Sequence, residues 1–211
     1  LGLKAAREAV DGPLRRTGGG VPKRGVFISG TSGGGMDLSE EFWKNRAMEG
    51  AECSCLSVHD PGASTLSILS SAPDSPEFEE FWRGVANSTT ISTACSSAGN
   101  AILLAARMLR AGVVDIAIAG GTDSLCRFTM NGFNSLRILD GDFCRPFDES
   151  RAGLNLGEGA GYLVLSAGSP DGAYCSLEGW GHAAEAYHQT ASTPEGLGPG
   201  LSMESALEIA G

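Results

Sequence analysis

Two periods of apolar residues run through this chain. Val26-Phe27-Ile28-Ser29, Val113 to Ala119 and Tyr162 to Leu165 are short apolar runs bounded by glycine or polar turns, which predict strands. Thr89, Thr90, Ile91 and Thr93 are β-branched and predict a further strand. Helical spacing predicts helices over Leu1 to Val10, Leu38 to Met48 and Leu201 to Ala210. A fourth runs on from Ala98, with Ile102, Ala105, Ala106 and Leu109 on one side and Asn100, Arg107 and Arg110 on the other. Strand, turn, helix and strand within about 30 residues make a βαβ unit, whose parallel strands lie buried between helices. The pattern therefore predicts an α/β fold. Ala173 to Leu177 reads as a later strand, and Phe143 to Arg151 as a polar loop. Asp11 to Gly20, with Gly12, Pro13 and three consecutive glycines, also reads as a loop. Ala51 to Val85 is broken by Pro61, Pro73 and Pro76, and its acidic run from Asp74 to Glu80 reads as a solvated face.

Composition narrows the class. At 211 residues, 42% hydrophobic and 19% charged, the chain can bury a substantial core as one domain or two. No apolar run approaches the ~20 residues of a membrane span, and Leu1 to Val10 carries charges that do not suit a signal peptide. A net charge of −10 argues against nucleic acid or an anionic membrane as main partner. The six cysteines lack the spacing of a zinc site or a disulfide framework, so no metal is expected and a reducing cytoplasm is the simpler setting. Cys53-Ser54-Cys55 reads as an ordinary loop pair.

One cysteine stands apart. Cys95 falls where the threonine-rich strand turns into the helix from Ala98, among small neighbours Ala94, Ser96, Ser97 and Gly99 that leave room for a substrate. The N–H groups opening a helix favour an anion, so this position suits a thiolate nucleophile, and the same groups can stabilise an oxyanion. Gly30-Thr31-Ser32-Gly33-Gly34-Gly35 between strand and helix fits neither dinucleotide fingerprint nor P-loop, and reads as close backbone packing. His182 and His188 are six residues apart, off a common helical face, which disfavours a metal pair; His59 lies in the illegible region.

Thr93-Ala94-Cys95-Ser96-Ser97 followed by Asp115-Ile116-Ala117-Ile118-Ala119-Gly120-Gly121 resembles the active-cysteine region of the β-ketoacyl-[acyl carrier protein] synthases, thiolase-like condensing enzymes. The resemblance continues through Arg145-Pro146-Phe147-Asp148, Gly153 to Gly161, Ala186-Tyr187-His188 and Pro194-Glu195-Gly196, in the family's order. It implies a layered α/β/α/β/α fold of two similar halves. Residues 1–168 would be the N-terminal half, lacking its first strand, and 169–211 the start of the C-terminal half. It implies decarboxylative Claisen condensation of an acyl group carried on Cys95 with a malonyl-carrier protein, for fatty-acid or polyketide synthesis. The implied partners are an acyl carrier protein and a second synthase-like chain, as homodimer or heterodimer. No cofactor of the enzyme's own is implied, phosphopantetheine being carried by the substrate.

Phe133, in Asn131-Gly132-Phe133, matches a segment near the acyl-binding pocket and is a candidate pocket wall, with a plain core phenylalanine as the alternative. Glu158 and His188 match positions of structural role. Two histidines and a lysine that complete the family's site would lie beyond Gly211, so the chain as given is expected not to complete condensation. Ala98 stands where many relatives have glycine, and Ser75 to Gly84 replaces their glycine-rich turn. Two other classes stay open: a non-catalytic chain-length-factor partner, which typically lacks the cysteine, and a coenzyme-A-dependent relative such as a thiolase or chalcone-synthase-like enzyme.

Overall fold

The computed structural model describes residues 1–17, 22, 24–49, 61–71, 76–168, 172–188 and 191–211. Cys53, Cys55, His59, the glycines at 18–20 and the turn at 169–171, which marks the expected division between 1–168 and 169–211, lie outside the described residues.

The sheet is built on β1, Gly25–Gly30, all six of whose residues are buried. β2 (Asn87–Ile91) pairs parallel along one edge and β3 (Ile116–Asp123) parallel along the other, while β4 (Gly159–Ser166) runs antiparallel on the outside of β3. The order is β2-β1-β3-β4. The βαβ unit is present, its helix α5 (Ser97–Arg110) passing over β1 between β2 and β3.

Alternation along the strands assigns each side chain to one face. Phe27 and Ile118 point into a cluster with Ala6, Val10, Leu69, Phe81, Trp82 and Tyr162. Val26, Ile28, Ala117 and Ala119 point the other way, against Ala101, Ala105 and Leu109 of α5. Alanine facing alanine lets α5 lie close to the strands, which keeps its first turn level with their carboxyl ends. The first face is covered by α1 (Gly2–Thr17), α3 (Pro61–Ser71) and α4 (Pro76–Gly84), so the described core is an α/β/α sandwich. Phe27 stacks on Tyr162, with ring centroids 5.1 Å apart, and meets Trp82 edge-on at 6.2 Å.

Several elements differ from expectation. α1 runs on through Pro13 to Thr17 instead of ending at Val10. Ala6 and Val10 are fully buried, and that docking outweighs the hydrogen bond forgone at Pro13. Pro61 and Pro76 open helices at their first position, where a missing N–H costs nothing, and Glu79 and Glu80 are exposed on α4. β3 starts later than Val113 and carries past Gly120-Gly121 to Asp123, because Gly120 and Gly121 pair with Tyr162 and Gly161 of β4. Arg127–Ser135 forms a helix, α6, which no periodicity indicated. Ala173 to Leu177 forms no strand: the outer edge of β3 is already taken by β4, and Tyr174 is exposed. α2 (Met36–Glu49) and α7 (Leu197–Ala210) fall where expected, α7 beginning a turn early.

Candidate active site

The carboxyl ends of β1, β2 and β3 lie side by side, since Gly30 pairs with both Ile91 and Gly121. Ligands in open α/β sheets collect at this edge. Here the chain leaves β2, and Ala94 takes a left-handed backbone, φ 54°. A residue with a Cβ adopts that conformation at a cost of roughly 1–2 kcal/mol, so its surroundings must hold it there. Cys95 follows, exposed, and Ser97 opens α5 two residues later.

The elbow is held from within by Ser97, which is buried. Its oxygen accepts from the N–H of Thr93 at 2.8 Å and lies 2.5 Å from the Ala94 carbonyl and 3.0 Å from that of Thr31. One hydroxyl hydrogen serves one of these two carbonyls at a time. The Ser97 N–H also donates to the Ala94 carbonyl, at 3.1 Å. Ser96, the residue before the helix, makes no side-chain cap; its hydroxyl donates to the Thr93 carbonyl at 2.7 Å. Asn100 donates to the Thr93 hydroxyl at 2.8 Å. The Asn100 N–H goes to the Ser96 carbonyl, so of the first-turn amides of α5 it is those of Ala98 and Gly99 that are left for another acceptor, as the thiolate and oxyanion chemistry requires.

The glycine-rich loop after β1 packs against this elbow. A Cβ on Gly30 would lie 2.4 Å from the Ser97 carbonyl carbon, and one on Gly121 would lie 2.8 Å from the Ala98 Cβ. The close-packing reading of the loop thus holds at Gly30, whereas a Cβ on Gly33 would meet nothing closer than 3.9 Å and Gly34 has open space but a positive φ of 58°. Asp123, ending β3, gathers the loop: its Oδ1 accepts from the Thr31 hydroxyl at 2.9 Å, Ser32 N–H at 2.8 Å and Gly33 N–H at 3.3 Å. Its Oδ2 lies 3.0 Å from the Ser32 Oγ, which is also 3.2 Å from the Ala94 carbonyl.

Between these pieces is an open cavity of about 300 Å³, bounded by Cys95, Ala98, Asp123, Gly121, Ser32 and the start of β4 at Gly159–Gly161. Among the described residues lining it there is no histidine or lysine. Phe133 is half-buried on α6 and does not line it. α6 is held near the site by other means. Glu40 of α2 accepts from the N–H groups of Arg127 (3.0 Å) and Phe128 (2.6 Å), and the Cys126 sulfur accepts from the Thr129 N–H. Glu158 accepts from the Leu125 N–H at 3.2 Å, a bracing contact.

Asp140 organises the loop from 138 to 155. Its carboxylate accepts from the N–H groups of Asp142 and Ala152 and from Arg145 at 2.8 Å. The Asp142 N–H, then the Arg145 guanidinium, hold its pKa below the usual carboxylate range. Glu185 is held low in the same way, first by Ser192 and then by the Gly198 N–H, and so braces the start of α7. Among the described residues no group of three or more His, Cys, Asp and Glu could hold a metal, and no helix is long and apolar enough to cross a membrane.

Sequence reasoning singled out Cys95 as a candidate and did not single out Asp123, Ser32 or Ser97, which the structure gathers around it. The available signal was a carboxylate directly after an apolar strand, at the edge where sites form.

Residues 80–170 match the β-ketoacyl synthase N-terminal domain. The chain is 33% identical over 221 aligned residues to a 3-oxoacyl-[acyl-carrier-protein] synthase 2 of Staphylococcus aureus, covering 99% of this chain. It spans 51% of that synthase, about half the relative's length. A solved ketosynthase (ApeO), in complex with its chain length factor (ApeC), from Xenorhabdus doucetiae superposes with a TM-score of 0.73 at 30% identity, covering 99% of this chain and 49% of that one. The ishigamide ketosynthase/chain length factor superposes at 0.72 with 26% identity, covering 100% and 53%. The layered α/β sandwich is thus the thiolase-like arrangement of these ketosynthases, and the chain is a partial relative of the β-ketoacyl synthases, matching their N-terminal domain over residues 80–170.

Proposed function

We propose that Cys95 is the nucleophile of a β-ketoacyl-[acyl carrier protein] synthase. The observation that supports this best is an exposed cysteine at a strand-to-helix elbow, beside an open cavity and the uncapped first turn of α5. In the first step the Cys95 thiolate attacks the carbonyl carbon of an acyl-carrier thioester. An S–C bond forms, and the oxyanion collapses to expel the carrier's phosphopantetheine thiolate. In the second, malonyl-carrier protein loses CO₂, and the electron pair left on its α-carbon attacks the Cys95 thioester. A C–C bond forms, the Cys95 thiolate departs, and the product is a β-ketoacyl-carrier protein. The enzyme needs no cofactor of its own for this.

The described cavity offers Cys95 but no cation for the malonyl thioester. The remaining histidines and lysine would come from the second half found in relatives. Phe133, half-buried on α6, would reach the acyl chain as that pocket closes around it. The protein would work in the cytoplasm, meet an acyl carrier protein, and pair with a copy of itself or with a related synthase chain. The Xenorhabdus ketosynthase with its chain length factor makes the mixed pair worth testing first. A non-catalytic partner role is disfavoured by Cys95.

The test is intact-mass analysis after incubating the full protein with acyl-carrier protein. One acyl adduct that maps to Cys95 and disappears in Cys95→Ser is expected. An adduct on another cysteine, or none, would withdraw the assignment.

A further inference from the structure

Ala94 cannot hold its left-handed backbone unaided, and the bonds that hold it come from two directions. Ser97 supplies those from within the elbow. The others come from the loop after β1: the Ser32 Oγ lies 3.2 Å from the Ala94 carbonyl, and the Thr31 carbonyl faces the Ser97 hydroxyl at 3.0 Å. That loop is glycine-rich, and Gly34 and Gly35 have positive φ, so its own backbone does little to fix its position. Asp123 does. One carboxylate takes two backbone N–H groups and the Thr31 hydroxyl, reaching across from the end of β3. Its other oxygen lies 3.0 Å from the Ser32 Oγ, whose one hydrogen serves either it or the Ala94 carbonyl. Hydrogen bonds to a charged acceptor are the stronger kind, so this anchor outranks the neutral contacts around it.

We propose that Asp123 is a positioning residue for Cys95, acting through the loop at Thr31–Gly33 on the carbonyl of Ala94 and the hydroxyl of Ser97. Asp123 borders the same cavity as Cys95, which raises a competing role with the opposite sign. A negative charge near the sulfur disfavours the thiolate, so acting by charge alone Asp123 would slow Cys95. Removing it would then speed the cysteine up. If it acts by position, removing it loosens the elbow, misplaces the sulfur relative to the α5 amides and slows the cysteine.

The inference rests on Cys95 being the reactive thiol, and the experiment separates the two. In the full protein, iodoacetamide labelling would be followed residue by residue, with exposed Cys144 and Cys175 as internal references and buried Cys126 as a fold control. In the wild type, Cys95 outpacing both references supports the nucleophile reading, and its failure to do so sinks that reading alone. In Asp123→Ala, Cys95 is expected to label about five-fold more slowly, the factor set by losing one hydrogen bond of ordinary strength. Asp123→Asn keeps an acceptor for the loop N–H groups but loses the charge that strengthens those bonds. Cys95 is expected there to label faster than in Asp123→Ala and to recover to within about two-fold of wild type. Labelling as slow as in Asp123→Ala would overturn the positioning role of these hydrogen bonds. Unchanged or faster labelling of Cys95 in Asp123→Ala overturns the proposal. If that variant exposes Cys126, the decision passes to Ser32→Ala, which leaves the backbone bonds to Asp123 in place. A slower Cys95 with Cys126 still protected supports the proposal, and an unchanged Cys95 overturns it.

Discussion

At the scale of single residues, Ala94 is a strained point at the site, and Asp140 is one of three carboxylates, with Asp148 and Glu185, whose pKa is held low. Ala94→Gly relieves the positive φ but adds roughly 0.5–1 kcal/mol of unfolded-state freedom, so stability should change by less than about 1 kcal/mol. Ala94→Val places a β-branched residue where such residues are outliers, and should cost on the order of 1–3 kcal/mol. Denaturant midpoints would rank the two, and equal midpoints would mean that the turn does not carry the strain assigned to it. For Asp140, the folded pKa lies below the unfolded one. Its stabilisation is therefore full above the unfolded carboxylate pKa near ~3.9 and is lost as pH falls through the folded value. Amide exchange over residues 138–155 should rise below about pH 4, and Asp140→Asn should show raised exchange at neutral pH with that acid dependence removed. Cys95 was legible because its small neighbours and its strand-to-helix position are local. Asp123 was not, since its partners lie 91 and 92 residues away and no periodicity records a side chain reaching across two strands.

At the scale of elements, burial decided which readings held. α5, β1 and β3 were legible because their apolar residues are the ones that face the core, whereas α2 also falls where its spacing put it although none of its described residues is buried. α6 was not: Asn131, Gly132 and Asn134 are poor helix formers, none of its residues is buried, and its start is braced by Glu40 from another helix. Glu40→Gln weakens a charged cap and should raise amide exchange across Arg127–Ser135 while leaving α5 unchanged. Exchange that rises equally in both helices would argue against local capping. α4 makes the opposite case. It fills the stretch where relatives were expected to turn on glycine, and it does so with Phe78, Phe81 and Trp82 buried against Phe27. Trp82→Ala should cost about 3–5 kcal/mol, while substitution of exposed Glu80 should stay within about 0.5 kcal/mol. Comparable costs at the two positions would mean that α4 is not part of the core.

At the scale of the whole molecule, several large apolar side chains stand exposed together on α7. Leu197, Leu201, Met203 and Leu207 of α7 are each more than half exposed, as are Leu163 of β4 and Phe143 and Phe147 of the loop from 138 to 155. Scattered exposed apolar side chains are ordinary, but three leucines and a methionine on one 14-residue helix are not, and contiguous apolar patches mark contact surfaces. α7 meets the sandwich at the end of α5, where the Arg110 guanidinium lies 5.7 Å over the Trp180 ring beside Ile209. Gly179 and Gly181 pass so close to α7 that a Cβ on either would collide with the carbonyls of Ala206 or Ser202. Those contacts use one side of the helix and leave the leucines facing outward. The opposing term is the net charge of −10, which keeps copies apart at low ionic strength. Salt should therefore tip the balance, since about 0.15 M screens charges beyond ~8 Å but leaves apolar attraction intact. The 211-residue chain on its own is expected to bind the dye ANS and to sediment as larger species as salt or concentration rises. Leu201→Glu with Leu207→Glu should reduce both effects. A chain that stays monomeric and dye-free in 0.5 M salt would mean that α7 turns its leucines inward, and the exposed face described here would have to be given up.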